Sequence, residues 1–310
     1  MDTLTTTQQV RLLKRVTLAA FITALVLLAI KAWAWYKSGS VSLLASLLDS
    51  GMDAIASLII LVAVRYALQP ADEEHRFGHG KAEPLAALAQ SVFIAGSALF
   101  FLLYALERLF NPQPLEHEAL AITTMWASLL LTLLLIGYQR HVIRRTDSTA
   151  IKADALHYAG DIAANLLTLI ALYVASRGFT QADVWFGLAI GIWIGWQAIK
   201  VGREALDQLL DRQLPDEMIE HIRHIILAHP KVWGFNDLRT FRSGPTVHIQ
   251  LDLELDDNLS LKEAHAIAEE VTAQLQQAFP HADVMIHQEP ASLRHDPAHH
   301  RWLDAHKGDG

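Results

Sequence analysis

The chain has 310 residues, of which 52% are hydrophobic and 19% charged, and it contains no cysteine. The lack of cysteine excludes disulfides, thiolate catalysis and zinc fingers, and the lack of a basic run or basic domain argues against a nucleic-acid binder. Residues 1–210 have a net charge of zero, whereas residues 211–310 carry the whole net charge of −8 and 11 of the 16 histidines. These figures predict an apolar part followed by an acidic, histidine-rich soluble part.

Six apolar stretches in the first part have the length that a helix needs to cross a hydrocarbon core of about 30 Å. They cover residues 16–36, 41–64, 85–106, 119–139, 153–175 and 184–201. Basic side chains collect at the N-terminus and in the second and fourth loops, so the positive-inside rule places both termini in the cytoplasm. The sequence therefore predicts an α-helical polytopic protein with six transmembrane helices in the lipid bilayer.

Two of the predicted spans carry ionisable side chains near their midpoints. The second span contains Asp49 and Asp53, and the fifth contains His157 and Asp161. Each pair has the i, i+4 spacing that places two side chains on one face of a helix. The two spans run in opposite directions, so side-by-side packing brings Asp49 level with Asp161 and Asp53 level with His157.

The free-energy cost of burying these four ionisable side chains in the membrane indicates that they bind a cation. A charged side chain at mid-depth costs about 2.5–3.5 kcal/mol, and three carboxylates without a cation repel one another. A hydrogen-bonded polar patch that only joins helices is a reasonable explanation for one such residue, but it is a poor explanation for two matched pairs. A divalent cation removes both costs, and three carboxylates with one imidazole suit tetrahedral Zn²⁺, although Fe²⁺, Co²⁺, Cd²⁺ and Mn²⁺ accept the same ligand types.

A second candidate metal site lies in the loop after the second span, PADEEHRFGHGKAEP. Asp72, His75 and His79 place one carboxylate and two imidazoles within eight residues, which is enough to clasp a divalent ion. The alternative is a solvated polar loop at the membrane surface, and the spacing alone does not decide between the two.

The sequence of the soluble part predicts helices and strands in the order α-β-β-α-β. Pro215 opens a helix and Pro230 stops it, and two alternating stretches on either side of Ser243-Gly244-Pro245 predict a hairpin. Residues 260–279 have the periodicity of an amphipathic helix, and DVMIHQE forms a last short strand. His287 and Glu289 are two apart on that strand and therefore share one face.

Several motifs resemble those of the cation diffusion facilitators, and in particular the bacterial ferrous-iron/zinc efflux subfamily. They are DSGMD at 49–53, HYAGD at 157–161, QPADEEHRFGHGKAE at 69–83, LLDRQLPDE at 209–217 and IHQEP at 286–290. The resemblance runs from about residue 10 to about residue 290. It implies a homodimeric metal/proton antiporter of the bacterial inner membrane with a C-terminal α+β, ferredoxin-like cytoplasmic domain, and no enzymatic activity.

The resemblance also implies roles for individual residues. The transport site would consist of Asp49, Asp53, His157 and Asp161, and a second ion would bind Asp72, His75 and His79. Lys81 and Asp211 match positions that pair as a salt bridge between protomers. The cytoplasmic domain of the family binds two ions with mostly histidine ligands.

The cytoplasmic ligands depart from the family pattern at three positions. His265 and His287 match it, Glu289 replaces a shorter carboxylate, and Asn236 and Asp252 stand where histidines are expected. We therefore expect one Zn²⁺ held by His265, His287 and Glu289, whereas a second ion would depend on Asn236 and Asp252.

Three domains and one function follow. We predict a transport domain at 1–210, a metal-binding and dimerisation domain at 211–290, and a disordered histidine-rich tail at 291–310. The predicted function is export of a divalent transition metal, Zn²⁺ or also Fe²⁺ and Cd²⁺, in exchange for protons. Metal ligands must be deprotonated, so metal and protons compete for one site. The alternatives are a membrane-anchored metal sensor without transport, an antiporter of a non-metal cation, and a membrane-embedded metalloenzyme, for which no HExxH motif is present.

Overall fold

The computed structural model describes residues 6–38, 41–110, 119–175, 182–280 and 282–295. The chain divides into two compact units, Met1–Leu209 and Leu210–Gly310. The predicted tail falls mostly on residues 296–310, which lie outside the described residues; Ala291–His295 form a short 3₁₀ helix.

Long helices make up the described part of the first unit. They are α1 (Thr6–Ser38), α2 (Val41–Ala67), α3 (Ala82–Phe110), α4 (Ala119–Thr146), α5 (Thr149–Ala175) and α6 (Ala182–Leu209). The shortest has 27 residues, which at 1.5 Å per residue gives about 40 Å, more than the thickness of the hydrocarbon core.

Four described segments are apolar enough to cross a membrane, namely Gln8–Lys37, Ser46–Ala67, Ala82–Phe100 and Thr123–Thr146. The predicted spans at 153–175 and 184–201 coincide with α5 and α6, but many of their side chains lie outside the described residues. Large apolar side chains face outward on the helices of this unit, such as Val62 on α2, which is 58% exposed, and Val92 on α3, which is 66% exposed. Such surfaces suit lipid, and the prediction of a helical membrane domain is confirmed.

Small residues let the helices of this unit approach closely. Ala87 on α3, Ala153 on α5 and Ala205 on α6 are fully buried and pack together. α1 packs against α2 and α4, and α5 packs against α4 and α6. Close backbone approach at small side chains is the usual way in which membrane helices associate.

The second unit has the predicted order α-β-β-α-β. It consists of α7 (Asp216–Leu227), β1 (Gly234–Ser243), β2 (Thr246–Leu255), α8 (Leu261–Ala278) and β3 (Ala282–Pro290). Among the described residues, the strands form one sheet in the order β1-β2-β3, with β1 antiparallel and β3 parallel to β2. The helices cover one face of the sheet, where Ile222, Ile226, Ile249, Leu253 and Leu275 form the core. The small α/β domain that the sequence predicted is confirmed.

The register of the sheet brings polar residues together on the other face. β2 alternates, so Ile249, Leu251 and Leu253 point into the core while Asp252 points away from it. In the ladder Asp252 pairs with His287, and Asn236 pairs with Asp252 just before a bulge in β1. One side of the sheet therefore collects a carboxylate, an imidazole and a carboxamide from three strands.

Candidate metal centres

The first group of potential ligands lies between α2 and α5. Nε2 of His157 is 2.8 Å from Oδ1 of Asp53 and 3.9 Å from Oδ2 of Asp161. One ligand atom from each of the three residues lies within 4.8 Å of the others. Asp53 and His157 are 6% and 8% exposed, respectively. The arrangement offers two carboxylates and one imidazole to a single ion inside the helical unit.

Neighbouring side chains hold the His157 ring in place. The ring of Phe93 on α3 lies 5.9 Å from the His157 ring, and the ring of Tyr158 lies 5.7 Å from it. The Tyr158 hydroxyl is 2.9 Å from Oγ of Ser57 on α2. These aromatic contacts and the second α2–α5 hydrogen bond restrict the rotation of the imidazole.

Asp49 is not part of this group in the described structure, although the sequence predicts it there. It lies one turn before Asp53 on α2, and its side chain is exposed. Four residues of helix rise about 6 Å, so a side chain at Asp49 starts that far along the axis from Asp53. Three residues before Asp49 on α2, the carbonyl oxygen of Ser46 accepts a hydrogen bond of 3.2 Å from Nζ of Lys31 on α1.

Sequence reasoning missed one buried acid close to the group. Asp154 lies on α5, one turn before His157, and is completely buried. It accepts a hydrogen bond of 2.7 Å from Nε2 of Gln139 on α4. The i, i+3 spacing between Asp154 and His157 in a predicted span was the available signal.

The second group is the loop between α2 and α3. Oδ1 of Asp72 lies 3.3 Å from Nδ1 of His75, and Oδ2 of Asp72 lies 3.2 Å from Nε2 of His79. The two imidazole rings are 4.6 Å apart. His79 is buried while Asp72 and His75 are exposed, and Gly78 adopts a left-handed φ of 79° between them. The loop thus brings together all three of its predicted ligands.

Backbone hydrogen bonds orient the Asp72 carboxylate and stabilise its ionised form. The backbone N–H groups of His75 and Glu74 donate to Oδ1 of Asp72 at 2.6 and 3.0 Å. The bond from the His75 backbone, with further help from its side chain, lowers the pKa of Asp72 below its ordinary value. Asp72 is therefore ionised under conditions in which a typical aspartate is partly protonated.

The third group lies on the polar face of the sheet in the second unit. Nδ1 of His287 is 3.4 Å from Oδ1 of Asp252 and 3.9 Å from Oε1 of Glu289. Glu289 is 4% exposed, whereas the imidazole is open to solvent. Burial and the nearby Glu289 raise the pKa of Asp252. The group has two carboxylates and one histidine, as does the group between α2 and α5.

This third group differs from the expected set of His265, His287 and Glu289. His265 is exposed on α8 and does not belong to the described group, whereas Asp252 does. Asp252 belongs to the group because the register of the parallel strands β2 and β3 places it directly beside His287. Nδ2 of Asn236 donates to Oε2 of Glu289 at 2.9 Å and therefore orients that carboxylate.

Comparison with known proteins agrees with both units. A family model described as the cation efflux transmembrane domain matches residues 17–210, and one described as the cation efflux protein cytoplasmic domain matches residues 214–291. The cation-efflux pump FieF of Serratia proteamaculans is 52% identical over 295 residues, which cover 95% of this chain and 98% of the relative. FieF of Cronobacter sakazakii is 51% identical over 283 residues, covering 91% and 94% of the two chains.

A solved structure also resembles part of the chain. The zinc form of CzrB, described as a zinc transporter, is 32% identical over 26% of this chain and 94% of its own, with a TM-score of 0.26. Because two family models together cover nearly the whole chain, and full-length relatives share half of its sequence, the chain belongs to the cation efflux family of metal transporters, the cation diffusion facilitators.

Proposed function

We propose that this protein exports a divalent transition metal from the cytoplasm in exchange for protons, with Zn²⁺ as the first candidate and Fe²⁺ or Cd²⁺ as further substrates. The observation that carries the proposal is the group formed by Asp53, His157 and Asp161 inside the helical unit. Two carboxylates and an imidazole form a ligand set for borderline divalent ions, and Asp49 on the next turn supplies a fourth ligand when it turns toward the group.

Proton exchange follows from the chemistry of these ligands. A metal ion binds a carboxylate or imidazole only after the proton has left, so metal and protons displace each other from the same atoms. The 2.8 Å contact between His157 and Asp53 joins α2 and α5 through two residues that are 104 positions apart in sequence. If the helices expose the group to one side of the membrane at a time, metal enters from the cytoplasm and protons enter from outside.

We further propose that the other two groups bind metal ions that are not transported. Asp72, His75 and His79 would hold one ion in the loop, and Asp252, His287 and Glu289 would hold one in the cytoplasmic domain. The matched family domain supports a homodimer, in which the exposed Lys81 and Asp211 pair between protomers. We place the protein in the bacterial inner membrane with both termini in the cytoplasm, as the distribution of basic residues indicates.

Flux measurements in proteoliposomes test the proposal. Purified protein is reconstituted with one dye for Zn²⁺ and one for pH inside the vesicles, and a Zn²⁺ gradient is applied with and without an opposing pH gradient. Inward Zn²⁺ movement that drives outward proton movement supports the antiport. Zn²⁺ binding without any flux would indicate a sensor, and proton flux driven by Na⁺ or K⁺ but not by Zn²⁺ would indicate an antiporter of another cation.

A further inference from the structure

A buried acid–amide pair lies beside the metal ligands of the helical unit. Asp154 on α5 and Gln139 on α4 are both completely buried, and Nε2 of Gln139 donates to Oδ2 of Asp154 at 2.7 Å. The second oxygen of each side chain, Oδ1 of Asp154 and Oε1 of Gln139, has no hydrogen-bond partner among the described residues. Two adjacent side chains thus leave one acceptor each unsatisfied in a place without solvent access.

A single proton satisfies both atoms. An ionised carboxylate offers only acceptors, and so does the amide oxygen, so the two oxygens cannot bond to each other. A protonated Asp154 instead donates its O–H to Gln139 while its other oxygen accepts the amide N–H. The pair then closes into a ring of two hydrogen bonds, and the cost of two buried unsatisfied oxygens disappears.

The surroundings of Asp154 favour the neutral form. On its own helix, Lys152 is held by Asp147 and Glu204, and His157, one turn after Asp154, is already in contact with Asp53 on α2. Tyr158, also on this helix, is hydrogen-bonded to Ser57. Toward α3 and α6 the next residue, Ala153, packs on Ala87 and Ala205. From α4 the partner is the uncharged Gln139. An isolated buried carboxylate is costly, and such a group becomes neutral instead.

We infer that Asp154 carries a resident proton and forms a neutral pair with Gln139, which fixes α5 against α4 one turn before His157. Asp154 is then a positioning residue, and its proton stays in place when metal and protons exchange on Asp53, His157 and Asp161. The positioning role rests on the proposed transport function, whereas the protonation state of Asp154 does not.

Infrared spectroscopy tests the protonation state without any measurement of transport. Full-length protein and the Asp154→Asn variant are compared in lipid at neutral pH, in H₂O and in D₂O. The wild-type spectrum minus the variant spectrum should show the carbonyl band of a protonated carboxyl group, and the band should persist in saturating Zn²⁺. If the difference instead contains the bands of an ionised carboxylate, Asp154 is charged and the inference is wrong.

Two substitutions then test the positioning role. In Asp154→Asn the new amide donates to Gln139 and accepts from it, so the ring of hydrogen bonds is preserved and Zn²⁺-driven proton flux should match the wild type. In Asp154→Ala the ring is lost and flux should fall about tenfold. If Asp154→Ala does not fold, Asp154→Asn still decides, because a flux as low as that of Asp53→Ala would overturn the inference.

The outcomes distinguish the inference from the proposed function. A wild-type protein without Zn²⁺ flux contradicts the proposed function but leaves the infrared result intact. An active wild type with an ionised Asp154 contradicts only the inference.

Discussion

The hydroxyl of Tyr158 lies 2.9 Å from Oγ of Ser57 and 3.4 Å from the carbonyl oxygen of Ala20. Ser57 is one turn after Asp53 on α2, and Tyr158 directly follows His157 on α5. A neutral hydrogen bond between two buried hydroxyls therefore lies next to the contact between the two proposed ligands and joins the same pair of helices. This hydrogen bond holds α2 and α5 in the relative rotation in which Asp53 meets His157.

Tyr158→Phe should destabilise the helical unit by about 1 kcal/mol and weaken Zn²⁺ binding, because Ser57 loses its buried partner. Thermal unfolding in detergent and titration calorimetry measure the two effects. Tyr36→Phe is the matched control, since Tyr36 is 80% exposed on α1. Equal behaviour of the two variants would show that the Tyr158 hydroxyl does not support the site.

Asp53→Ala and His157→Ala should each abolish Zn²⁺-driven proton flux while the protein still inserts and dimerises. Each change removes a ligand that has its partner within 3 Å of it on the other helix. Glu217→Gln removes a carboxylate that is exposed on α7 and should leave flux unchanged. Proteoliposome flux and size-exclusion chromatography provide the readouts, and normal transport by either alanine variant would refute the assignment.

His157→Asp should shift metal preference from Zn²⁺ toward Mn²⁺ and change the dependence of transport on pH. The substitution replaces the only nitrogen ligand of the proposed site by oxygen, and harder ligands suit harder ions. Wild-type transport should weaken as the cytoplasmic pH falls, because protons compete with the metal for the same atoms. Metal-driven proton flux is measured for both forms over a range of pH, and identical profiles would mean that His157 is not a ligand.

His287→Ala should remove the ion of the cytoplasmic domain, whereas His265→Ala should retain it. The first residue lies 3.4 Å from Asp252, and the second is exposed on α8 outside the group. Calorimetric titration of Zn²⁺ into residues 212–290 measures both variants, and dimerisation of this fragment is followed by light scattering. Loss of the ion in both variants would restore the ligand set that the resemblance implies.

The stability of the metal-free cytoplasmic domain should fall as the pH rises above the ordinary pKa of aspartate, about 3.9. Burial raises the pKa of Asp252, so the folded state binds more protons than the unfolded state in this interval. Bound Zn²⁺ should reverse the slope, because it binds the ionised carboxylate. Unfolding midpoints at several pH values test both signs, and Asp252→Asn should flatten the metal-free curve.

The sequence was most informative where ligand geometry is local. Asp72, His75 and His79 lie in one short loop, so their spacing predicted that the three side chains lie close together, although it did not decide whether they bind a metal ion. The order of strands and helices in the second unit also followed from alternation and from Pro215 and Pro230. In these places one short segment contains the whole signal.

Where geometry depends on packing, the sequence was less informative. A shift of one residue in a strand register moves every side chain to the other face, so the pairing of Asp252 with His287 could not be read from either strand. Helical periodicity placed Asp53 and His157 on suitable faces but did not fix how far α2 and α5 turn about their axes. The rotation of α2 determines that Asp49 lies outside the group, and the rotation of α5 determines that Asp154 contacts Gln139.

The location of the proposed ligands on two helices has a mechanical consequence. Side chains end about 5–6 Å from a helix axis, so a roll of α5 through about 20° carries a ligand atom about 2 Å sideways. That distance equals the whole length of a Zn–N bond, about 2 Å. At the proposed site, a small roll of one helix would therefore be enough to turn a tight coordination shell into a loose one, and release of a bound ion would not need a wide opening of the protein.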